Sequence, residues 1–254
     1  MSRLDQVLVE RGLAISRAQA QQYIRAGKVQ VLMTNGEWQT QSKNSFKCLP
    51  EHQLRLLAGE EERYVSRGGL KLAGALARTG VDPDGKIALD VGQSTGGFSD
   101  CLLQAGIGAL VGVDVGRDQL AEKIKNDARV SYYENINARE LPFQLREKHA
   151  PTGFDLAVMD VSFISQTLIL PALMPLLAPG GDLISLVKPQ FEVGREGIAK
   201  GGIVRDENLY QQVEEKIRRS CEHLRLQVQD YFASSITGGD GNREFFVWAV
   251  KPEK

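Results

Sequence analysis

Along residues 3–11, "RLDQVLVER", apolar side chains fall at Leu4, Val7 and Leu8, the i, i+3, i+4 spacing of a helix with one buried face. "GLAIS" interrupts that period. Ser16 is suited to cap a second helix through "RAQAQQYIRAG", closed by Gly27 at its C′ position. The period then drops to two in "KVQVL", a strand, and Asn35-Gly36 in "TNGE" supplies a hairpin turn. Two short helices followed by a small β unit predict an α+β module over residues 1–58. The charged stretch at 59–63 reads as a linker.

From residue 64 to 254 the pattern differs. "YVSRGGLKLAGALARTG" carries Leu70, Leu72, Ala73 and Leu76 as apolar positions of a helix. Apolar runs then alternate with amphipathic ones. Strands are predicted in "KIALDVG", "ALVGVDVG", "VSYYEN", "FDLAVMDVSF" and "DLISLVKPQF". Helices are predicted in "GGFSDCLLQAG", "RDQLAEKIKND" and the proline-interrupted "SQTLILPALMPLLA". A long helix, "DENLYQQVEEKIRRSCEHL", and the strands "LQVQDYFASSI" and "EFFVWAV" complete the set. Strands without alternation, separated by helices, predict an α/β domain with a mostly parallel, seven-stranded sheet covered on both faces.

Composition adds limits. The 254 residues are 42% hydrophobic and 25% charged, as in an ordinary folded protein of one or two domains. A net charge of −1 gives no whole-molecule field for nucleic acid or anionic lipid, but the charge is uneven. Residues 1–58 hold eight Lys or Arg against four Asp or Glu, so a small basic unit precedes a larger acidic one. The N-terminus, "MSRLDQVLVERG", lacks the apolar core of a signal peptide. The longest apolar stretch is broken by Pro171 and Pro175 and falls short of the roughly 20 residues that span a bilayer. Cys48, Cys101 and Cys221 show no CxxC spacing, and His52, His149 and His223 form no ligand pair. The expectation is a cytoplasmic, metal-free protein.

Candidate chemistry sits where strands end. "LDVGQSTGGFSD" joins the first large-domain strand to its helix. Gly92, Gly96 and Gly97 there let backbone N–H groups approach a ligand at a helix N-terminus. About twenty residues on, Asp114 ends the next strand, placed to accept hydrogen bonds from ribose hydroxyls. That pairing suits NAD or S-adenosylmethionine, and the GxxxGG spacing departs from the GxGxxG dinucleotide fingerprint. Asn137, after the third strand, is placed for an adenine contact, although an Asn there also serves as a turn residue. Asp160 ends "AVMD" and Lys188 ends "SLVK". Each alone reads as a solvated strand terminus; together, over the ligand end of one sheet, they read as a site. An ordinary lysine is protonated at neutral pH. Burial or a second cation makes its proton releasable, and a carboxylate fixes its orientation, so it can take a proton from an attacking hydroxyl.

Several motifs carry a family resemblance. "RLDQVLVERGLAISRAQAQQYIRAGKVQV" resembles the S-four RNA-binding domain. With "YVSRGGLKL", "DVGQSTGGFSD", "VKPQFEVGRE", "KGGIVRD" and "GNREFF", the whole chain resembles the TlyA family, in which that domain is fused to an FtsJ-like methyltransferase. The resemblance implies a Rossmann-like class I methyltransferase fold and S-adenosylmethionine as cofactor. Gly92, Ser94, Thr95, Gly96, Gly97, Phe98, Asp114, Asn137 and Asp160 would bind it. Lys71, Asp160, Lys188 and Glu244 match the family's K-D-K-E set, with Lys188 as base, Asp160 orienting it, and Lys71 and Glu244 aligning the acceptor. Arg3, Arg17, Arg25, Lys28 and Arg67 become candidate RNA contacts.

The implied reaction is 2′-O-methylation of a cytidine in ribosomal RNA of the small subunit, the large subunit, or both. The implied partners are ribosomal RNA and ribosomal subunits, engaged by a monomer with no membrane and no metal. Gln93 departs from the family loop, which usually has a small residue there; its side chain either alters cofactor affinity or points outward. Three rivals compete. A membrane-active protein, suggested by the family's older name of haemolysin, would need a spanning or strongly basic amphipathic helix. A non-catalytic RNA-binding or assembly factor would not need the four-residue set. A nicotinamide oxidoreductase would need the GxGxxG loop.

Overall fold

The apolar face read from residues 4–8 is the seed of the first unit. In the computed structural model, which describes residues 2–57, 63–194, 197–198, 201–239 and 241–253, Leu4 and Leu8 of α1 (Leu4–Glu10) are fully buried. They pack with Ala20 and Ile24 of α2 (Arg17–Arg25) and with Val29 and Val31 of β2 (Val29–Leu32). Ser16 caps α2 by accepting from the Gln19 N–H at 3.3 Å, and Gly27 leaves the helix at φ +68. β2 forms the hairpin with β3 (Trp38–Gln41), Gly36 taking the positive φ its turn needs. Short pieces escaped the sequence pattern. A two-residue β1 (Ser2–Arg3) pairs with β4 (Lys47–Cys48), and β5 (Leu54–Leu56) adds to the free side of β2. Strands of two or three residues are too brief to show a period.

Contacts divide the chain into two compact units, Met1–Arg63 and Tyr64–Lys254. The expected linker, apart from Arg63, lies outside the described residues, as do Arg195, Glu196 and Lys200 of the quoted motifs.

The second unit opens with α3 (Gly68–Thr79) and alternates through β6 (Ile87–Val91), α4 (Gly97–Gln104), β7 (Ala109–Val113), α5 (Glu122–Lys125) and β8 (Val130–Tyr133). It continues through α6 (Gln144–His149), β9 (Phe154–Met159), α7 (Leu170–Leu173), β10 (Leu177–Val187) and α8 (Pro189–Glu192), and closes with α9 (Glu207–His223), β11 (Gln227–Ala233) and β12 (Phe245–Val250). One seven-stranded sheet results, in the order β11-β12-β10-β9-β6-β7-β8. β6 to β10 run parallel, and β12 is antiparallel to both neighbours. Successive strand residues face opposite sides. Ala88, Leu156, Val158 and Ile184 therefore join one core with α3 and α4, while Leu89, Ala157, Met159 and Leu183 join the other with α7 and α9. Each fully buried aliphatic side chain contributes roughly 1.5–3 kcal/mol of transfer free energy. The seven-stranded, Rossmann-like sheet read from the sequence is the one found.

Several helices differ from expectation. "RDQLAEKIKND" keeps only the single turn α5, and "SQTLILPALMPLLA" keeps a 3-10 turn, Gln166–Leu168, and the single turn α7. Pro171, without an N–H, is tolerated at the first turn of α7. α3 starts at Gly68 rather than Tyr64 because the Tyr64 ring folds back over Gly69, in the space a Cβ there would fill. α6 had no clear apolar period and was not predicted.

Asp5 is the polar hub of the first unit. It is 0% exposed and accepts from Arg3 Nε at 3.0 Å, Arg17 at 3.1 Å and Gln21 Nε2 at 2.8 Å. Burial alone would raise its pKa, but the hydrogen bonds from Arg3, Gln21 and Arg17 hold the carboxyl well below the ordinary range. Asp5→Ala is expected to cost about 1–3 kcal/mol, since it leaves three donors without their acceptor. Hydrogen exchange would speed up within residues 2–57 and stay unchanged beyond residue 63.

Candidate active site

β6 stops at Val91, and the chain turns beneath the end of β9 to enter α4. Gly92 makes this possible. Its φ is +83, and a Cβ there would lie 2.5 Å from the Asp160 carbonyl oxygen. Gly96 (φ +95) begins α4, and a Cβ on Gly97 would run into the Ser66 hydroxyl. The loop thus lies against both the end of β9 and the segment leading into α3. Ser94 sits at φ +48, its N–H held by Asp114 Oδ2 at 2.8 Å; Asp114 Oδ1 accepts from the Gly116 N–H at 2.6 Å. Gly92, Ser94, Thr95, Gly97, Phe98 and Asp160 line one small crevice together with Lys71.

Gln93, the departure in the loop, does not point outward; it is buried beside the crevice, whose wall it helps to form. Its side chain is 5% exposed and fills the place above Gly112 that a Cβ would occupy. Nε2 donates to Ser99 Oγ at 2.7 Å, and Ser99 donates to Asp90 Oδ2 at 2.6 Å. Burial pushes the Asp90 carboxyl up to about 7; the Ser99 hydrogen bond opposes the shift, and the Asp160 and Asp114 charges add to it. A buried hydrogen-bonded chain therefore ties the loop to the sheet beneath it.

β9 and β10 are parallel neighbours, so Asp160 and Lys188 emerge side by side. Lys188 Nζ lies 2.5 Å from Asp160 Oδ1 and donates to Ser162 Oγ at 2.9 Å. Phe245 pairs with Val187, so the antiparallel β12 begins at the end where the parallel strands finish, and Glu244 arrives there too. Lys71, in the first turn of α3, meets Glu244 Oε2 at 2.5 Å, the two side chains 10% and 4% exposed. Pairs so desolvated are costly to assemble and weak as a source of stability, which favours a chemical role over a structural one. Lys71, Lys188 and Glu244 also line a cavity of about 430 Å³ with Ser162, Phe163 and Phe191. Lys71 thus borders both the crevice and the cavity.

Ser162, Phe163 and Phe191 were not singled out from sequence. Phe163 is 90% exposed at φ +65, its ring centroid 5.0 Å from that of Phe191. The only local signal was position, directly after Asp160 in "MDVSF". Phe98 lines the crevice while buried and stacked on Phe246. Other candidates lie elsewhere. Asn137 is exposed, and its Oδ1 caps the short turn Ala138–Glu140 by accepting from the Arg139 N–H. Arg67 is exposed beside the cavity and donates to the Thr237 carbonyl at 3.0 Å. In the first unit Arg3, Arg17 and Arg25 are exposed, while Lys28 is partly buried with its ammonium 6.0 Å from the Tyr23 ring centroid.

Among the described residues no cluster of His, Cys, Asp or Glu could hold a metal ion, and no helix is long and apolar enough to cross a membrane. The crevice does fit S-adenosylmethionine. It offers backbone donors at the start of α4 and a carboxylate at the tip of β7 for ribose hydroxyls.

Comparison with known proteins identifies the family. Residues 64–251 match the FtsJ-like methyltransferase family and residues 2–31 the S4 (S-four) domain. The 16S/23S rRNA (cytidine-2′-O)-methyltransferase TlyA of Mycobacterium tuberculosis is 39% identical over 248 residues, 97% of this chain and 89% of that one. A solved structure of a haemolysin candidate from Streptococcus thermophilus is 40% identical with a TM-score of 0.73, covering 100% of this chain and 89% of that one. A SAM-dependent methyltransferase from Aquifex aeolicus shares the fold at 17% identity and a TM-score of 0.52, over 73% of this chain and 92% of its own. With a methyltransferase match across most of its length and relatives aligned almost end to end, the chain belongs to the TlyA family of S-adenosylmethionine-dependent methyltransferases.

Proposed function

We propose that this chain methylates the 2′-hydroxyl of a cytidine in ribosomal RNA, with Lys188 as the base. The observation that carries the reading is the position of the two lysine–carboxylate pairs, beside both the glycine-lined crevice and the larger cavity. When bound, S-adenosylmethionine supplies an electrophilic methyl group on sulfur. Gly92, Ser94, Thr95, Gly96, Gly97 and Phe98 hold that cofactor, and Asp114 accepts from its ribose hydroxyls. Asp160 lines the same crevice, and Asn137, exposed after β8, would contact the adenine.

The acceptor nucleotide enters the cavity. Lys188 takes the proton from the 2′-oxygen as that oxygen attacks. Asp160 and Ser162 hold its nitrogen from behind, and the Lys71–Glu244 pair fixes the acceptor ribose. The exposed Phe163 ring and its neighbour Phe191 offer a stacking surface for an unpaired base. Arg67 stands at the rim, placed for a phosphate. In the first unit Arg3, Arg17, Arg25 and Lys28 grip RNA backbone, contacts that position without reading sequence. The cytidine and ribosomal specificity follow from the named activity of the Mycobacterium tuberculosis relative. The same chemistry fits RNA of either subunit.

Four variants test the reading. Gly92→Ala is expected to abolish S-adenosylmethionine binding in calorimetry, because the loop cannot keep both its positive φ and its contact with Asp160. Lys188→Ala is expected to lose about 10²–10⁴-fold in methyl transfer to ribosomal subunits, with cofactor affinity nearly unchanged. Lys188→Arg should fail equally, since a guanidinium keeps its proton; near-normal turnover in that variant would return Lys188 to the status of a surface residue. Removing residues 1–58 should leave cofactor binding intact and eliminate methylation of the subunit. A non-catalytic assembly factor would instead dock on subunits and transfer no label from the methyl donor.

A further inference from the structure

Behind the candidate site, a buried carboxylate with no part in the proposed reaction ties its two strand ends together. Glu192 ends α8, the single turn that starts immediately after Lys188, and is 8% exposed. Its Oε2 accepts from Ser165 Oγ at 2.5 Å and from Lys216 Nζ of α9 at 2.8 Å, and its Oε1 accepts from the Gln166 N–H at 2.8 Å. Lys216 also donates to the Glu192 carbonyl at 2.9 Å. Ser165 and Gln166 lie on the segment leaving β9, three and four residues beyond Ser162. Gln166 is 1% exposed and accepts from Ser185 Oγ of β10 at 2.6 Å.

These bonds close a ring. In front, Lys188 reaches from the end of β10 to Asp160 and Ser162 at the end of β9. At the back, Glu192 reaches from the same β10 turn to Ser165 and Gln166 on the same β9 segment. We propose that Glu192 is a positioning residue for the methyl transfer. It locks the two strand-end segments together so that Lys188, Ser162 and Phe163 face the acceptor cavity as one unit. The proposal rests on the reading of Lys188 as base.

A brace needed only for stability would not require a carboxylate. Val193, Leu209 and Val213 line the neighbouring groove, and an apolar side chain packed among them would avoid the desolvation of a charge. What a carboxylate provides, and an apolar group does not, is directional grip on a hydroxyl, an amide N–H and an ammonium at once. Two of those three donors sit on the segment that carries Ser162 and Phe163.

The test measures kcat and KM on ribosomal subunits, cofactor affinity, the kcat–pH profile and the melting temperature for Glu192→Gln, Ser165→Ala, Ser162→Ala and Lys188→Ala. The amide of Glu192→Gln turns an NH₂ toward donors. It is expected to lower kcat by about 10–100-fold, the scale of a small misplacement of a catalytic group. The midpoint of the pH profile should move with it, because the surroundings of Lys188 change, while cofactor affinity stays the same. Ser165→Ala should act in the same direction and more weakly, and it decides the matter by the same measures if Glu192→Gln does not fold. The Glu192→Gln and Ser162→Ala effects should be non-additive, because both loosen one ring, whose front in the Ser162→Ala background rests on the Lys188–Asp160 pair alone. A lowered melting temperature with kcat and pH profile unchanged in the folded protein would overturn the brace, as would full additivity with Ser162→Ala. If Lys188→Ala keeps its activity, the base reading falls and the brace with it. If Lys188→Ala is inactive while Glu192→Gln is normal, the brace alone is wrong.

Discussion

The absence of a side chain at Gly92 is the constraint on which the candidate site depends. With a Cβ there, the loop after β6 could not pass within reach of the Asp160 carbonyl, and the crevice would be separated from the end of β9. Because it can pass, the loop that fits the cofactor shares a wall with the strand end that carries Asp160. Through the pairing of β9 with β10 it also stands near Lys188. The chain from Gln93 through Ser99 to Asp90 reinforces the arrangement from below, fastening the loop to the sheet.

Around that point the fold spends buried charge unusually freely. Lys71 with Glu244 and Lys188 with Asp160 bring ion pairs largely out of water at the ligand end of the sheet, and Glu192 buries a carboxylate against the half-exposed Lys216. Such pairs add little to stability over apolar residues of similar size, whereas losing one partner is severe. Their common effect is to fix direction. Each joins segments far apart in sequence, and each permits only a narrow set of geometries. Asp5 does the same for the first unit, where one carboxylate holds Arg3 and Arg17. Two of the candidate RNA contacts are therefore preordered, with less conformational entropy to lose on binding.

The reversed strand matters as well. Six of the seven strands run in one direction and finish at one end of the sheet, and a seventh running the same way would have left its start at the opposite end. β12 runs antiparallel, so its first residues lie at the ligand end, and Phe245 pairs with Val187. This is why Glu244, the residue before β12, can meet Lys71 from the start of α3.

Local pattern made much of this legible. The apolar face of α1, the cap at Ser16, the Asn35-Gly36 turn and the seven strands all depend on neighbours within about one turn or one strand, and so did the glycine loop, Asp114 and the strand-end positions of Asp160 and Lys188. The family motifs added Lys71 and Glu244. Short segments were less legible: α5 and α7 are single turns of what read as longer helices, and β1, β4 and β5 hold too few residues for a period to emerge. Only the tertiary structure decided that Gln93 turns inward over Gly112, that Phe163 stands exposed beside Phe191, and that Glu192 reaches back to Ser165. Those outcomes are settled by packing and hydrogen-bond partners contributed from distant parts of the chain, and the spacing of residues along a sequence carries no record of which distant group will arrive.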